Sequence, residues 1–144
     1  MPEVAFKAGL EDVIAGESSI CYIDGNRGIL SYRGFNIHNL AANATFEETA
    51  YLLWFATLPN KAQLANLKTQ LAAERKLPRP IIDFLKNAPQ GANVMDVLRT
   101  GVSLLGLHDP DAADMSEAAN QRKAIRLTAQ IATMVAAFDR LRNG

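Results

Sequence analysis

Beyond Gly34 the apolar residues of this chain recur at helical spacing, and each break between runs carries a proline, a glycine or a side chain able to cap a helix. That pattern commits the bulk of the chain to α-helix, because side chains three and four apart line one helix face whereas a half-buried strand alternates. Asn36 is placed to cap a short helix ending at Asn43. Thr45, with Glu48 three residues on, has the spacing of a capping box. The helix it opens carries Phe46, Ala50, Leu53 and Trp54 on one side and stops at Pro59. Asn60 and Gln63 repeat the capping box before a stripe of Leu64, Leu67 and Leu71, in a helix expected to end near Lys76. Pro78 and Pro80 suit the first turn of a helix running to Asn87. After the loop Pro89-Gln90-Gly91-Ala92 comes a helix from Val94 to Leu107, with Val94, Val97, Leu98, Val102 and Leu105 on its apolar face. His108-Asp109-Pro110-Asp111 breaks it. Ser116 caps the last and longest helix, where Ile125, Leu127, Ile131, Met134, Val135, Phe138 and Leu141 recur.

Ahead of the helices, residues 1–18 read as a tail and lead-in, and residues 19–34 as a β-hairpin. Ile20-Cys21-Tyr22-Ile23 and Ile29-Leu30-Ser31-Tyr32 are its β-favouring arms, and Asp24-Gly25-Asn26-Arg27-Gly28 supplies the turn. Gly25, Gly28 and Gly34 are assigned to that hairpin turn, since they form neither GxGxxG nor a P-loop. The expected fold class is therefore all-α with one short N-terminal β-hairpin and no parallel sheet. Its size of 144 residues fits one domain able to bury a core. Fifteen Lys and Arg balance fifteen Asp and Glu, which argues against nucleic acid as a partner. Cys21 is the one cysteine, so no internal disulfide can form. No uncharged apolar run approaches a membrane span and no signal peptide opens the chain, so a cytoplasmic location and no membrane partner are expected.

A search for catalytic groups finds little. His38 and His108 stand alone, with no ligand-spaced His, Cys or carboxylate around them, and no metal site is expected. His108 belongs to a helix-ending turn. Cys21, in a strand, is expected to be a buried, inert thiol. The pairs Glu11 and Asp12, Glu47 and Glu48, and Asp111 and Asp114 read as caps and solvated faces. So do the basic groups Arg122, Lys123 and Arg126, and Arg140 with Arg142. On residue chemistry alone this is a helical domain with no visible catalyst.

The order of phrases is more specific than their chemistry. Gly9-Leu10-Glu11-Asp12-Val13-Ile14-Ala15, Tyr22-Ile23-Asp24-Gly25 and Leu30-Ser31-Tyr32-Arg33-Gly34-Phe35-Asn36-Ile37 open the series. Thr45-Phe46-Glu47-Glu48, Ala50-Tyr51-Leu52-Leu53-Trp54 and Leu58-Pro59-Asn60-Lys61 follow. Met95-Asp96-Val97-Leu98-Arg99-Thr100, Arg122-Lys123-Ala124-Ile125-Arg126-Leu127 and Val135-Ala136-Ala137-Phe138 complete it. Together they resemble the N-terminal portion of bacterial-type citrate synthases and 2-methylcitrate synthases, and the likeness runs from Gly9 onward. Asn93-Val94 stands where the family usually has His-Pro, and Ala132 where it usually has a proline in the last helix.

The resemblance implies a mostly helical homodimer whose large domain starts with this stretch. It implies a Claisen-type condensation of oxaloacetate with acetyl-CoA, then thioester hydrolysis, with no metal or redox cofactor and acetyl-CoA entering as substrate. The family's two catalytic histidines and its aspartate would fall beyond Gly144. This segment is then scaffold, without catalytic residues and inactive alone. One binding residue is carried over: Arg142, in Arg142-Asn143-Gly144, as a contact to a CoA phosphate, which a guanidinium fork suits. Tyr22-Ile23-Asp24-Gly25 leans towards citrate synthase over 2-methylcitrate synthase. A truncated, non-catalytic paralogue serving as an interaction or regulatory subunit is the alternative. A homodimer or other homo-oligomer is expected, because Gly101, Ser103 and Gly106 would let a second helix approach Val94–Leu107 closely, and Ser116–Leu141 carries a long apolar face.

Overall fold

The computed structural model describes Gly9, Ile14 and residues 16–144. Most of the lead-in, including Glu11, Asp12 and most of the first family-like phrase, lies outside the described residues. The chain divides into two compact units, one ending at Thr45 and the other running Phe46–Gly144.

In the first unit, β1 (Cys21–Asp24) pairs antiparallel with β2 (Ile29–Tyr32), Cys21 opposite Tyr32 and Asp24 opposite Ile29. Asp24 Oδ1 accepts the Arg27 N–H at 3.0 Å and so closes the turn between them. The expected hairpin is present, and the sheet goes one strand further. β3 (Phe35–Asn36) pairs with β2, Tyr32 opposite Phe35. Gly34 therefore belongs to a second turn. Arg33 and Gly34 are both left-handed, at φ 48° and 86°, as a two-residue hairpin turn of type I′ requires. Arginine is a poor advertisement for that conformation, which is why the sequence pattern gives no sign of this reversal. The strand is two residues long because Asn36 at once caps α1 (Ile37–Asn43), its Oδ1 accepting the His38 N–H at 2.8 Å. Against β2 and β3, α1 buries Leu40.

The second unit holds α2 (Phe46–Phe55), α3 (Lys61–Ala73), α4 (Arg79–Asn87), α5 (Val94–Leu107) and α6 (Glu117–Asn143). Of the expected caps, those at Asn60 and Ser116 are in place, and Asn93 adds one that the sequence pattern did not single out. Asn60 and Gln63 close a reciprocal capping box at 2.9 and 2.8 Å. Asn93 Oδ1 takes the Met95 N–H at 2.8 Å, and Ser116 Oγ the Ala119 N–H at 3.3 Å. Asn93 thus performs the capping at a position where the resembled family has His. With Ala at 132, α6 continues unbroken for 27 residues, about 40 Å.

α6 lies against α3, α4 and α5. Towards its C-terminus, Met134 and Phe138 join Leu77, Ile81, Leu85, Val97 and Leu105 in one apolar cluster. Towards its N-terminus, Ile125 and Ala129 meet Leu67 and Leu71, with Tyr51 and Trp54 packed alongside. Each fully buried Leu, Ile or Met contributes about 1.5–3 kcal/mol relative to an exposed one. Gln130, buried between the clusters, donates Nε2–H to the Lys76 carbonyl at 3.4 Å. α3 ends at Ala73 rather than near Lys76, and Leu77 turns into the core.

Two expectations about faces need correction. α2 buries Leu52 completely, while Phe46 is 69 % exposed. The stretch Tyr51-Leu52-Leu53-Trp54-Phe55 is apolar all round, so its pattern does not choose a face. Gly101 is buried within this unit. A Cβ there would collide with Met134 Sδ and lie 3.7 Å from Phe84 Cε1. The small residue admits α6 of the same chain, not a second copy. Gly106 and Ser103 are exposed. Gly101→Leu should therefore lower stability by about 1–3 kcal/mol through overpacking. Urea unfolding checks this, and the loss should be the same at every protein concentration.

Candidate functional site

Arg142 sits in the last turn of α6. Its Nη2 contacts Asp139 Oδ1 at 3.2 Å and its guanidinium lies 5.8 Å from the Phe138 ring centroid. The Nε is buried and has no hydrogen-bond partner among the described residues. One face of the fork is thus stacked and one edge engaged, with a third of the side chain still exposed.

The other candidates are dispersed. His38 lies exposed in the first turn of α1. His108 is the exposed C-cap of α5, its backbone N–H bonded to the Leu105 carbonyl at 3.0 Å. Cys21 is exposed, not buried: β1 is an edge strand, and Cys21, Tyr22 and Ile23 all face outward to solvent. Among the described residues no group of three His, Cys, Asp or Glu is placed to hold a metal.

Among the open grooves of the helical unit, two are larger than the rest described. One, of about 310 Å³ between α4 and α5, is floored by Phe84, Ala88 and Val97 and edged by Asn87, Asp96 and Thr100. Its polar edge is already engaged: Thr100 Oγ donates to the Asp96 carbonyl at 2.8 Å and Asn87 Nδ2 to the Asp83 carbonyl at 2.7 Å. The other, of about 430 Å³, runs between Phe46 and Leu71 on one side and Ala129, Ala132 and Ala136 on the other. Neither groove sets a nucleophile beside a base, so the chemistry they offer is binding.

The strongest electrostatic feature is one that the sequence reading spread over solvated faces. Arg122 grips Asp111 with two bonds, Nη2 to Oδ1 at 2.6 Å and Nε to Oδ2 at 3.0 Å. Arg126 reaches three acids: Asp109 through Nη1, Asp111 Oδ2 at 3.2 Å and Glu74 Oε2 at 3.5 Å. Its side chain is only 15 % exposed. Arg122 and Arg126 are four apart and share a face of α6, the one signal in sequence; their acids come from a loop and from the end of α3. The Arg122 hydrogen bonds, followed by those of Arg126, hold the Asp111 carboxyl at about 2, against an opposing push from burial. For Arg126, burial pulls the guanidinium down, and the bonds to Asp109 and Asp111 outweigh it and raise it. Asp114 is lowered by accepting the Ser116 N–H at 2.8 Å.

Residues 9–144 match the family described as citrate synthase, C-terminal domain. The chain is 47 % identical over 137 residues to Citrate synthase 2 of Bacillus subtilis, covering 94 % of this chain and 36 % of that protein. It is 38 % identical to a 2-methylcitrate synthase of Mycobacterium tuberculosis, over 96 % of this chain and 35 % of the relative. Among solved structures, citrate synthase from Pyrobaculum aerophilum superposes with a TM-score of 0.85 at 32 % identity, over 94 % of this chain and 36 % of that one. The chain thus spans about a third of the length of the curated relatives it matches.

The depressed Asp111 carboxyl has a defined consequence in acid. Its ionised form is favoured by folding, so its contribution is complete above the ordinary value of 3.8 and is lost as pH falls through about 2. Urea unfolding at stepped pH across that window should show stability falling less steeply in Asp111→Asn than in the parent chain.

Proposed function

The chain belongs to the citrate synthase family, and from that membership we propose that it is the N-terminal scaffold segment of an acyltransferase condensing oxaloacetate with acetyl-CoA to citrate and CoA. Such a condensation needs a base to take a proton from the acetyl methyl and donors to polarise the keto carbonyl. The observation that carries the reading is the coverage, 94 % of this chain against 36 % of the Bacillus subtilis relative. It leaves room in the relatives for groups with no counterpart here, and His38 and His108 are exposed, each beside a helix end. The role of this segment is to hold helices in register. Arg142 is its one candidate contact to substrate, through a CoA phosphate, and its partly exposed fork suits that role. A cytoplasmic location belongs to the same reading; among the described residues no helix is long and apolar enough to cross a membrane.

Thiol release from acetyl-CoA with oxaloacetate tests the proposal in two arms. The 144-residue chain alone should give no release above background. Spliced into the Bacillus subtilis relative in place of the segment it matches, it should support turnover, with Arg142→Ala raising KM for acetyl-CoA more than it lowers kcat. Turnover by the chain alone, or a folded chimera without turnover, would overturn the reading.

Association is part of the same proposal, as a homo-oligomer and most simply a two-fold dimer. With Gly101 used internally, its support is the apolar surface that α5 and α6 leave exposed: Met95 at 67 %, Leu107 at 79 %, Val135 at 42 % and Leu141 at 39 %. Light scattering over a concentration series should give a mass above the 15.7 kDa monomer, reduced by Val135→Lys with Leu141→Lys. A chain monomeric at high micromolar concentration would remove the support.

A further inference from the structure

The segment from His108 to Ser116 joins α5 to α6, yet none of its side chains enters either apolar cluster. Met115 near its far end is 77 % exposed, as is Leu107, the last residue of α5, at 79 %. Within it, the side chains that turn away from solvent are two acids, Asp109 and Asp111, at 11 % and 15 % exposure. Both meet cations of α6. Lys123 Nζ adds a bond to the Asp114 carbonyl at 2.6 Å. The charged groups gathered here are Asp109, Asp111 and Asp114 from the loop, Arg122, Lys123 and Arg126 from α6, and Glu74 at the end of α3.

We propose that this segment is an electrostatic clasp, held on α6 by charge rather than by apolar packing, and released by salt or by loss of Asp111 while both apolar clusters stay folded. Two features make release local. Arg122 is half exposed, so its bonds lie where ions screen them, the Debye length falling from about 10 Å at 0.1 M salt to about 3 Å at 1 M. Arg126 keeps Glu74 when the loop leaves, so its guanidinium is not stranded without a counter-charge. Apolar burial is not weakened in the same way by screening. Met115 travels with the loop, so charge governs how this exposed apolar side chain is presented. This inference does not rest on the catalytic reading of the chain.

Amide hydrogen exchange on the whole chain tests it, read at Ala112 and Asp114. Their N–H groups bond the Asp109 and Asp111 carbonyls at 3.2 and 2.9 Å. Raising salt from about 0.1 M to about 1 M should speed exchange there by about fivefold, the upper range for exposed ion pairs. Asp111→Asn at low salt should do the same and remove most of the salt response. Amides of α4 and α5 should be unchanged in both. Arg122→Gln, at a half-exposed site, gives an independent variant if Asp111→Asn does not fold. Exchange at Ala112 and Asp114 indifferent to salt and to Arg122→Gln would overturn the clasp. So would an equal rise across α4 and α5, which would mean the loop opens only with the bundle.

Discussion

Both apolar clusters of the helical unit close on α6. Met134 and Phe138 complete the cluster of α4 and α5, and Ile125 with Ala129 completes that of α3. A helix of this length can serve two groups of neighbours because its apolar positions drift around its axis as the 3.6-residue period advances. The tightest point is the crossing with α5, where Gly101 faces Met134 and Phe84 lies beside them. A side chain at 101 would have to displace Met134, whose Sδ lies where a Cβ would go, and dense packing makes that displacement costly. Gln130 then ties the α3–α4 connection to the same helix through the Lys76 carbonyl. The order of the bundle follows from what α6 can accept on each side.

The polar features of this unit also converge on α6, but for a different reason. Arg122 and Arg126 project from the half of the helix that has fewer apolar neighbours, and they recruit acids from a loop and from the end of α3. The result is a network of positional charges rather than a reactive centre. Every acid in it is already paired with a cation or a backbone N–H, so none is poised to take a proton from a substrate. That agrees with the dispersed histidines and with a groove between α4 and α5 whose polar edge is internally satisfied.

Much of the fold was legible because local chemistry carries it. Asn36, Asn60 and Ser116 stand at helix starts and act as caps there, and α6 begins where Ser116 places it. The hairpin was readable from Asp24 to Gly28 for the same reason. Faces were less legible. Leu52 rather than the stripe beginning at Phe46 is buried, since a segment apolar on every side leaves the choice to its neighbours. Cys21 reads as core by type, yet it faces solvent on an edge strand. The charged network was hidden by sequence separation: Asp109 and Arg126 are seventeen residues apart, and nothing local in either reports the other.

By itself the sequence determined where helices start and stop, that a hairpin precedes them, and the family to which the ordered phrases belong. Those are consequences of caps, turn residues and periodicity, each acting over a few residues. The tertiary structure decided which small residue is a contact, turning Gly101 from a surface notch into the seat of Met134. It also decided that Arg33 adopts a left-handed turn to add β3, and which acids Arg122 and Arg126 hold. Contacts of that kind depend on how distant segments cross, and crossing geometry is fixed by the packing of the whole unit rather than by any stretch of it.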